Sequence, residues 1–308
     1  MSVRKIDCYT HILPQKYWSA LKESVGLKVL TWPPLDLVAS KQTAIDLAKI
    51  HNDGMAELTF KYPDRFPGAV ALLSLQDMDE ALKEAQRAIR DLHLRGILLV
   101  TPRFDGSISV TKPLDTPDLI PLYEMMAEFD LPVWIHPRRE YLMPDYTVEK
   151  TSKYCLNQCF GWPYETTLCM GRLVFSGILA RLPNLKFITH HSGAMVPSMS
   201  SRIEGSCGWY EMSLNVKFTK RLPEPPLEYF RLFYNDTAIY GNTPGLMCAY
   251  SFFGADRLLF GTDFPYDAEC GDIYTRKTIE AIEAMPIPEE DKNKIFEQNV
   301  CKILKIEA

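Results

Sequence analysis

Several patterns that assign proteins to particular classes are missing from this sequence. No run approaches 18 uninterrupted apolar residues, and residues 1–13 hold no long apolar segment, so neither a membrane span nor a signal peptide is expected. The 34 Lys and Arg residues are interspersed with 39 Asp and Glu residues, and no basic stripe stands out. A nucleic acid is therefore not an expected partner.

The sequence also lacks paired cysteines and a dinucleotide-binding loop. Its eight cysteines are scattered without a Cys-x-x-Cys pair, and Cys155 and Cys159, four residues apart, have no second pair to complete a zinc site. Unpaired thiols in a reducing cytoplasm are the expectation. No Gly-x-Gly-x-x-Gly follows a predicted strand, which argues against a dinucleotide fold.

The sequence does contain a regular alternation of short apolar runs and helical segments. Runs such as residues 69–73 are continuously apolar, which is typical of parallel strands buried on both faces. Eight strand–helix units predict a (β/α)8 TIM barrel, with residues 1–308 forming a single domain. The eight predicted strands begin at Ile6 or span residues 27–32, 69–73, 96–100, 131–136, 184–191, 233–237 and 257–263.

Most of the six histidines fall where predicted strands end. His11 follows the first strand, His136 ends the fifth, and Asp263 ends the eighth. His190 and His191 end the sixth, and because neighbours in a strand face opposite ways, only one of them is expected to point into the barrel. Strand ends of a parallel barrel meet at one mouth, where imidazoles and a carboxylate suit a divalent metal such as zinc.

These residues also lie in motifs that resemble a known family. Four motifs together resemble the amidohydrolase superfamily. They are Ile6-Asp-x-x-x-His11, Trp134-Ile-His136-Pro, His191-Ser-Gly-Ala-Met-Val-Pro197 and Phe260-Gly-Thr-Asp263-Phe-Pro. Within it they resemble aminocarboxymuconate semialdehyde decarboxylase and the resorcylate and hydroxybenzoate decarboxylases. The resemblance implies a barrel with one divalent metal, zinc first and manganese as the alternative. It also implies non-oxidative loss of CO2 from an aromatic or muconate-type acid.

The resemblance further implies roles for individual residues. His11, His136 and Asp263 match metal ligands, and His191 matches an acid/base or substrate-contacting histidine. Arg202 matches an arginine that reaches a neighbouring subunit's site, which implies a homodimer. Two departures stand out. Tyr9 occupies the first ligand position, where relatives carry His or Glu, and residues 21–28 are too few to hold the carboxylate-binding arginine of relatives.

The chemistry of decarboxylation narrows the expected roles. Protonation of the carbon that bears the carboxylate needs an acid near working pH, and Asp263 and His191 are the two candidates. The residues expected to contact a small anionic carboxylic acid are Tyr9, Arg138, Arg139, Trp162 and Arg202. A hydrolase or hydratase that acts on a lactone or an unsaturated dicarboxylate is the alternative on the same scaffold. A metal-free binder of small acids is a third hypothesis, motivated by Tyr9.

Overall fold

A six-stranded parallel sheet forms the centre of the computed structural model, which describes residues 4–25 and 34–307. The predicted strand at residues 27–32 lies outside the described residues. The sheet order is β1-β2-β5-β6-β7-β8, and β3 and β4 form a separate antiparallel pair. The strands are β1 Ala71–Leu72, β2 Ile97–Thr101, β3 Arg103–Phe104, β4 Thr111–Lys112, β5 Val133–Pro137, β6 Phe187–Thr189, β7 Tyr234–Asp236 and β8 Leu258–Leu259.

Helices follow the strands along the chain, as the alternation predicted. The sequence offers Ser40 as the N-cap of a helix, and in the structure its hydroxyl caps α3 by accepting a hydrogen bond from the backbone N–H of Thr43. No helix in residues 4–25 or 34–307 is long and apolar enough to cross a membrane. The helices are α1 Gln15–Val25, α2 Leu35–Val38, α3 Lys41–Lys61, α4 Met78–Arg90, α5 Ile120–Phe129, α6 Trp162–Phe175, α7 Ile178–Arg181, α8 Val196–Leu214, α9 Pro226–Phe230, α10 Thr243–Phe253, α11 Asp272–Glu283, α12 Glu289–Asn293 and α13 Asn299–Leu304.

The helical predictions needed two corrections. The apolar pattern of residues 166–182 predicts a single helix, but the structure has two, α6 and α7, separated at Gly177, whose φ of 79° lies in the left-handed region. The stretch predicted to be irregular up to residue 165 already becomes helical at Trp162. The pair β3 and β4 was not predicted, since two-residue strands leave almost no periodic signal.

The strands separate two apolar layers. Residues facing outward from the sheet pack against the surrounding helices, and they include Ile97, Leu99, Val133, Ile135 and Phe187. Residues facing inward form a second cluster with α13, and they include Leu98, Trp134, Ile188, Leu259, Val300 and Leu304. Continuously apolar strands are therefore explained by burial on both faces, as the fold prediction assumed.

The N-terminal segment extends this sheet beyond β8. The N–H of Cys8 donates to the carbonyl of Phe260, and Thr10 forms a parallel bridge with Phe264. The carboxylate of Asp7 ties the two segments together, because it accepts hydrogen bonds from the backbone N–H and the hydroxyl of Thr262. These contacts place the end of the first predicted strand directly beside Asp263.

Helix α3 bonds to the outer edge of the sheet, at β1. The side chain of Asn52 accepts a hydrogen bond from the N–H of Leu72 at 2.8 Å and donates to the carbonyl of the same residue at 3.0 Å. It also donates to Glu84 at 2.7 Å, and it is fully buried. The amide of Asn52 thus pairs with both backbone polar groups of Leu72, as a neighbouring strand would, so that neither group is buried without a hydrogen bond.

Replacement of Asn52 by Ala should therefore destabilise the fold. The change leaves the N–H and C=O of Leu72 and one oxygen of Glu84 buried without these partners, so we expect the free energy of unfolding to fall by roughly 2–4 kcal/mol. Urea denaturation of the purified variants measures this. Gln42→Ala is the matched control on the same helix, because its amide is exposed and bonds to the exposed Asp46. Equal stability of the two variants would contradict the edge-bonding role.

Candidate active site

Asp263 lies at the centre of a buried polar cluster at the carboxyl ends of the strands. Its Oδ1 is 3.0 Å from Nε2 of His11, and its Oδ2 accepts a hydrogen bond from the hydroxyl of Tyr240 at 2.9 Å. Nε2 of His191 lies 4.0 Å from Oδ2. Asp263 has a φ of 64°, a conformation that is rare outside glycine and recurs at functional sites.

His136 reaches the cluster from the end of β5. Its Nδ1 donates to the carbonyl of Pro137 at 2.7 Å, which leaves the lone pair of the neutral imidazole on Nε2. The His136 ring centroid is 5.4 Å from that of His11 and 5.6 Å from that of Trp162. Hydrogen bonding of one ring nitrogen to a carbonyl is the arrangement that orients metal-binding histidines.

Both histidines of the adjacent pair belong to the cluster, so the expectation that only one points into the barrel is wrong. β6 ends at Thr189, so the strand alternation stops before the pair. His190 points inward and its Nδ1 donates to Asp236 at 2.6 Å. His191 begins a turn with a φ of 59°, which returns its side chain toward Asp263.

Tyr9 lies among these rings rather than at the edge of the cluster. Its ring stacks on that of His190, with centroids 3.6 Å apart and an interplanar angle of 17°. Its ring centroid is 5.0 Å from that of His11 and 5.9 Å from that of His136. Burial raises the pKa of the Tyr9 phenol well above its ordinary value, so the hydroxyl is neutral near pH 7.

The charges of the cluster are set by burial and by mutual pairing. Burial opposes the ionised form of Asp263, but hydrogen bonds and charges from His11 and His191 outweigh it and lower the pKa of the carboxyl. Burial likewise opposes the charged form of His191, yet Asp263 and Asp236 raise the pKa of that imidazole. Burial, followed by the charge of His11, lowers the pKa of His136 well below its usual range. The environment therefore favours the ionised form of Asp263 and shifts the two imidazoles in opposite directions, His191 toward the charged form and His136 toward the neutral form.

The residues expected to contact a substrate are only partly brought to this cluster. Trp162 and Arg138 lie beside His136, with the Arg138 guanidinium 5.7 Å from the Trp162 ring and paired to Glu140. Arg139 instead bonds to Glu165 and to the carbonyl of Pro144, which ties a loop to α6. Arg202 is exposed on α8. The sequence also offers four further aromatic residues as pocket walls, and their exposed fractions are 65% for Phe160, 51% for Tyr164, 37% for Phe264 and 40% for Tyr266.

Two residues of the site, Asp236 and Tyr240, were not predicted to belong to it, whereas Tyr266 was among the aromatic residues considered for the pocket. Asp236 bonds to His190 and also accepts from the backbone N–H of His191, so it holds both histidines. Tyr240 bonds to Asp263, and the ring of Tyr266 packs edge-on to His11 at 4.9 Å. Asp236 was recognisable as a carboxylate at the end of a predicted strand. Tyr240 gives no sequence signal, since it lies in a loop among 15 tyrosines.

The donor atoms of the cluster suit a divalent ion. Nε2 of His190, Nδ1 of His191 and the hydroxyl of Tyr9 are buried without a hydrogen-bond partner among the described residues, which is unusual unless a ligand belongs there. The 3.0 Å between His11 and Asp263 is also the spacing of two ligands that bind one ion at about 2.1 Å. Within residues 4–25 and 34–307, no three His, Cys, Asp or Glu side chains are gathered closely enough to hold an ion as they stand, so binding of an ion here would require side-chain rotation.

Related proteins share this arrangement of elements. The chain is 29% identical over 282 residues to a gamma-resorcylate decarboxylase of Rhizobium sp. strain MTP-10005, covering 91% of this chain and 82% of the relative. A crystal structure of 2,6-dihydroxybenzoate decarboxylase complexed with 2,6-dihydroxybenzoate matches with a TM-score of 0.80 and 26% identity, covering 99% of each chain. The dihydroxybenzoic acid decarboxylase of Polaromonas sp. JS666, solved with manganese and the inhibitor 2-nitroresorcinol, matches with a TM-score of 0.76 and 27% identity, over 94% of this chain and 86% of that one.

The fold and the family predicted from the sequence are confirmed by these matches. The structural agreement extends over the whole of the α/β barrel, including the N-terminal segment that carries His11. The family model described as Amidohydrolase matches residues 37–306. Because this match spans most of the 308 residues, the protein belongs to the amidohydrolase family.

Proposed function

We propose that this protein is a metal-dependent decarboxylase that removes CO2 non-oxidatively from a hydroxylated aromatic carboxylic acid. The observation that carries the proposal is the convergence of His11, His136, His191 and Asp263 at the carboxyl ends of a barrel similar to those of dihydroxybenzoate decarboxylases. The named relatives are decarboxylases, which favours this activity over the hydrolase alternative. A muconate-type acid is the second substrate class to test.

The metal would be held by His11, His136 and Asp263. Two imidazoles and a carboxylate suit zinc, and manganese is present in one related structure. When bound, a divalent ion supplies a Lewis acid that can chelate a carboxylate and its ortho hydroxyl and stabilise negative charge. The positions of the side chains agree with this function, because His136 and Asp263 are buried and only 9% of the His11 side chain is exposed.

The remaining side chains would orient the ring and move a proton. Trp162 and Tyr266 flank His136 and His11, where their rings can bracket a planar substrate. Arg138 is better placed than Arg139 to attract the anionic acid, because its guanidinium lies 5.7 Å from the Trp162 ring beside His136, whereas Arg139 bonds to Glu165 and Pro144 away from the cluster. The pair His191 and Asp263 would transfer a proton to the ring carbon that bears the carboxylate. Loss of CO2 then returns the electrons of the broken C–C bond to the ring.

Product analysis tests this function. Purified protein loaded with manganese or zinc is incubated with 2,6-dihydroxybenzoate, other hydroxybenzoates and muconate-type acids, and CO2 and the decarboxylated product are quantified. We expect one CO2 and one product molecule per acid consumed. A parallel panel of lactones is the comparison. Lactone opening without CO2 release from any acid would overturn the proposal in favour of the hydrolase.

The protein is also proposed to form a homodimer through α8. Met199, Arg202 and Trp209 are spaced at three and seven residues, which places them on one face of this helix. Trp209 is 65% exposed, and Tyr210, Met212 and Leu214 nearby are exposed as well. Apolar exposure of this extent on one helix is typical of an interaction surface.

The cytoplasm is the proposed compartment, since all eight cysteines are unpaired.

Replacement of Trp209 by Lys should weaken the dimer. A buried tryptophan at the centre of an interface commonly contributes 2 kcal/mol or more, so we expect the dimer dissociation constant to rise by at least about 10-fold. Sedimentation velocity would show a shift toward the 35.3 kDa monomer. Phe60→Lys, at an aromatic residue of α3 that is 90% exposed, is the control and should leave the dimer intact. A monomeric wild-type protein would refute the proposal.

A further inference from the structure

His190 has the two features that distinguish a metal-binding histidine from a structural one. Its Nδ1 is fixed by the carboxylate of Asp236 at 2.6 Å, so the lone pair of the neutral ring lies on Nε2. Nε2 is fully buried and has no hydrogen-bond partner among the described residues. A carboxylate on one nitrogen and an available lone pair on the other is the arrangement that orients histidines toward metals. In a histidine with only a structural role, a buried nitrogen without a hydrogen-bond partner would destabilise the fold.

The spacing of the rings agrees with a shared ion. The centroid of the His190 ring is 5.4 Å from that of His136, which equals the distance between the rings of His136 and His11. Imidazoles that bind one ion at about 2.1 Å have ring centroids roughly 5 Å apart. His136 is therefore flanked by two imidazoles at the separation that a common ion requires.

Tyr9 explains why an additional ligand is needed. It stands at the position where the resemblance places the first ligand of the site, and a phenol with an ordinary pKa near 10 is a poor ligand while it is protonated. Its ring instead lies flat on His190 at 3.6 Å. Stacking of this kind covers a face of the imidazole and leaves the ring edge, which carries Nε2, accessible to an ion.

We propose that His190 supplies the metal ligand that position 9 lacks, with Asp236 holding its tautomer and Tyr9 holding its ring plane. The inference rests on the proposed metal-dependent function and extends it to this chain's own ligand set. The site would then contain three imidazoles, from His11, His136 and His190, together with the carboxylate of Asp263.

Metal binding by variants of the full-length protein tests the assignment. His190→Gln replaces the imidazole by a polar amide whose nitrogen has no lone pair for a metal, and we expect it to raise the dissociation constant for Zn2+ or Mn2+ at least 100-fold, measured by competition with a chelator. Tyr9→Phe keeps the stacked ring and removes the hydroxyl, and we expect its dissociation constant to stay within about threefold of the wild type. The visible spectrum of the Co2+-loaded protein should change in His190→Gln and persist in Tyr9→Phe.

A measurement on the unmutated protein tests the assignment even if the variant does not fold. X-ray absorption of the Zn2+-loaded wild type counts bound imidazoles, and we expect three, with one fewer in His190→Gln. Wild-type affinity and an unchanged Co2+ spectrum in His190→Gln would overturn the assignment, as would only two imidazoles in the wild type. Loss of metal in Tyr9→Phe alone would assign the ligand to Tyr9 instead.

The two proposals fail in distinguishable ways. If the wild type binds metal through His190 but releases no CO2 from any acid, the ligand assignment stands and the decarboxylase function fails. If the wild type releases CO2 and His190→Gln binds metal normally, only the ligand assignment fails.

Discussion

Asp263→Asn is expected to lower kcat for decarboxylation by about 10³-fold or more, within the range that acid–base groups contribute together with a lost ligand. The carboxylate contacts His11, Tyr240 and His191 at 3.0, 2.9 and 4.0 Å. An amide has nearly the same shape, but it carries no negative charge and takes no part in proton transfer. The change therefore removes the function of the side chain with little change in its volume, and CO2 release under substrate saturation measures the effect.

A second carboxylate near β8 provides the control for this variant. Asp256 precedes the strand, is 76% exposed in its side chain and pairs with Lys294 at 3.2 Å. Asp256→Asn should leave kcat unchanged, because surface ion pairs of this type contribute little. Circular dichroism confirms that both variants are folded. If Asp263→Asn retained more than a tenth of wild-type kcat, Asp263 would not be part of the catalytic machinery.

Removal of the metal is expected to abolish activity and to lower thermal stability. Dialysis against a chelator should reduce CO2 release to background, because the substrate carboxylate would lose its proposed Lewis acid. Free ion at 100 times its dissociation constant stabilises a folded protein by about 2.7 kcal/mol, so re-addition should also raise the melting temperature. Activity and melting temperature are measured on the same samples, with bound metal quantified by mass spectrometry.

The choice of ion added back sharpens this test. Mn2+ or Zn2+ should restore turnover, whereas Ca2+, which prefers six to eight oxygen ligands, should not. Full activity of protein that contains no detectable metal would contradict the chelation mechanism. A protein that cannot be loaded with metal, releases no CO2 and still binds small acids would instead support the third hypothesis, a metal-free binder.

Local features of the sequence were sufficient to predict the order of the helices and strands and the approximate position of the site. The buried strands are continuously apolar. The helix cap is also local, because the Ser40 hydroxyl accepts its hydrogen bond from the N–H of Thr43, three residues along the chain. His11, His136 and Asp263 were recognisable because a parallel barrel brings the ends of all strands to one side. These inferences depend on neighbours in sequence or on a rule common to the fold.

The contacts that give the site its particular chemistry were decided by the tertiary structure. Whether His190, His191 or both point inward depends on where β6 ends and on a turn held by Asp236, 46 residues away from His190 in sequence. The stacking of Tyr9 on His190 joins residues far apart in the chain. The sequence by itself therefore determined the barrel and which strands carry polar side chains at their ends. Only packing between distant segments determined which of those atoms are buried, paired or left to bind a ligand.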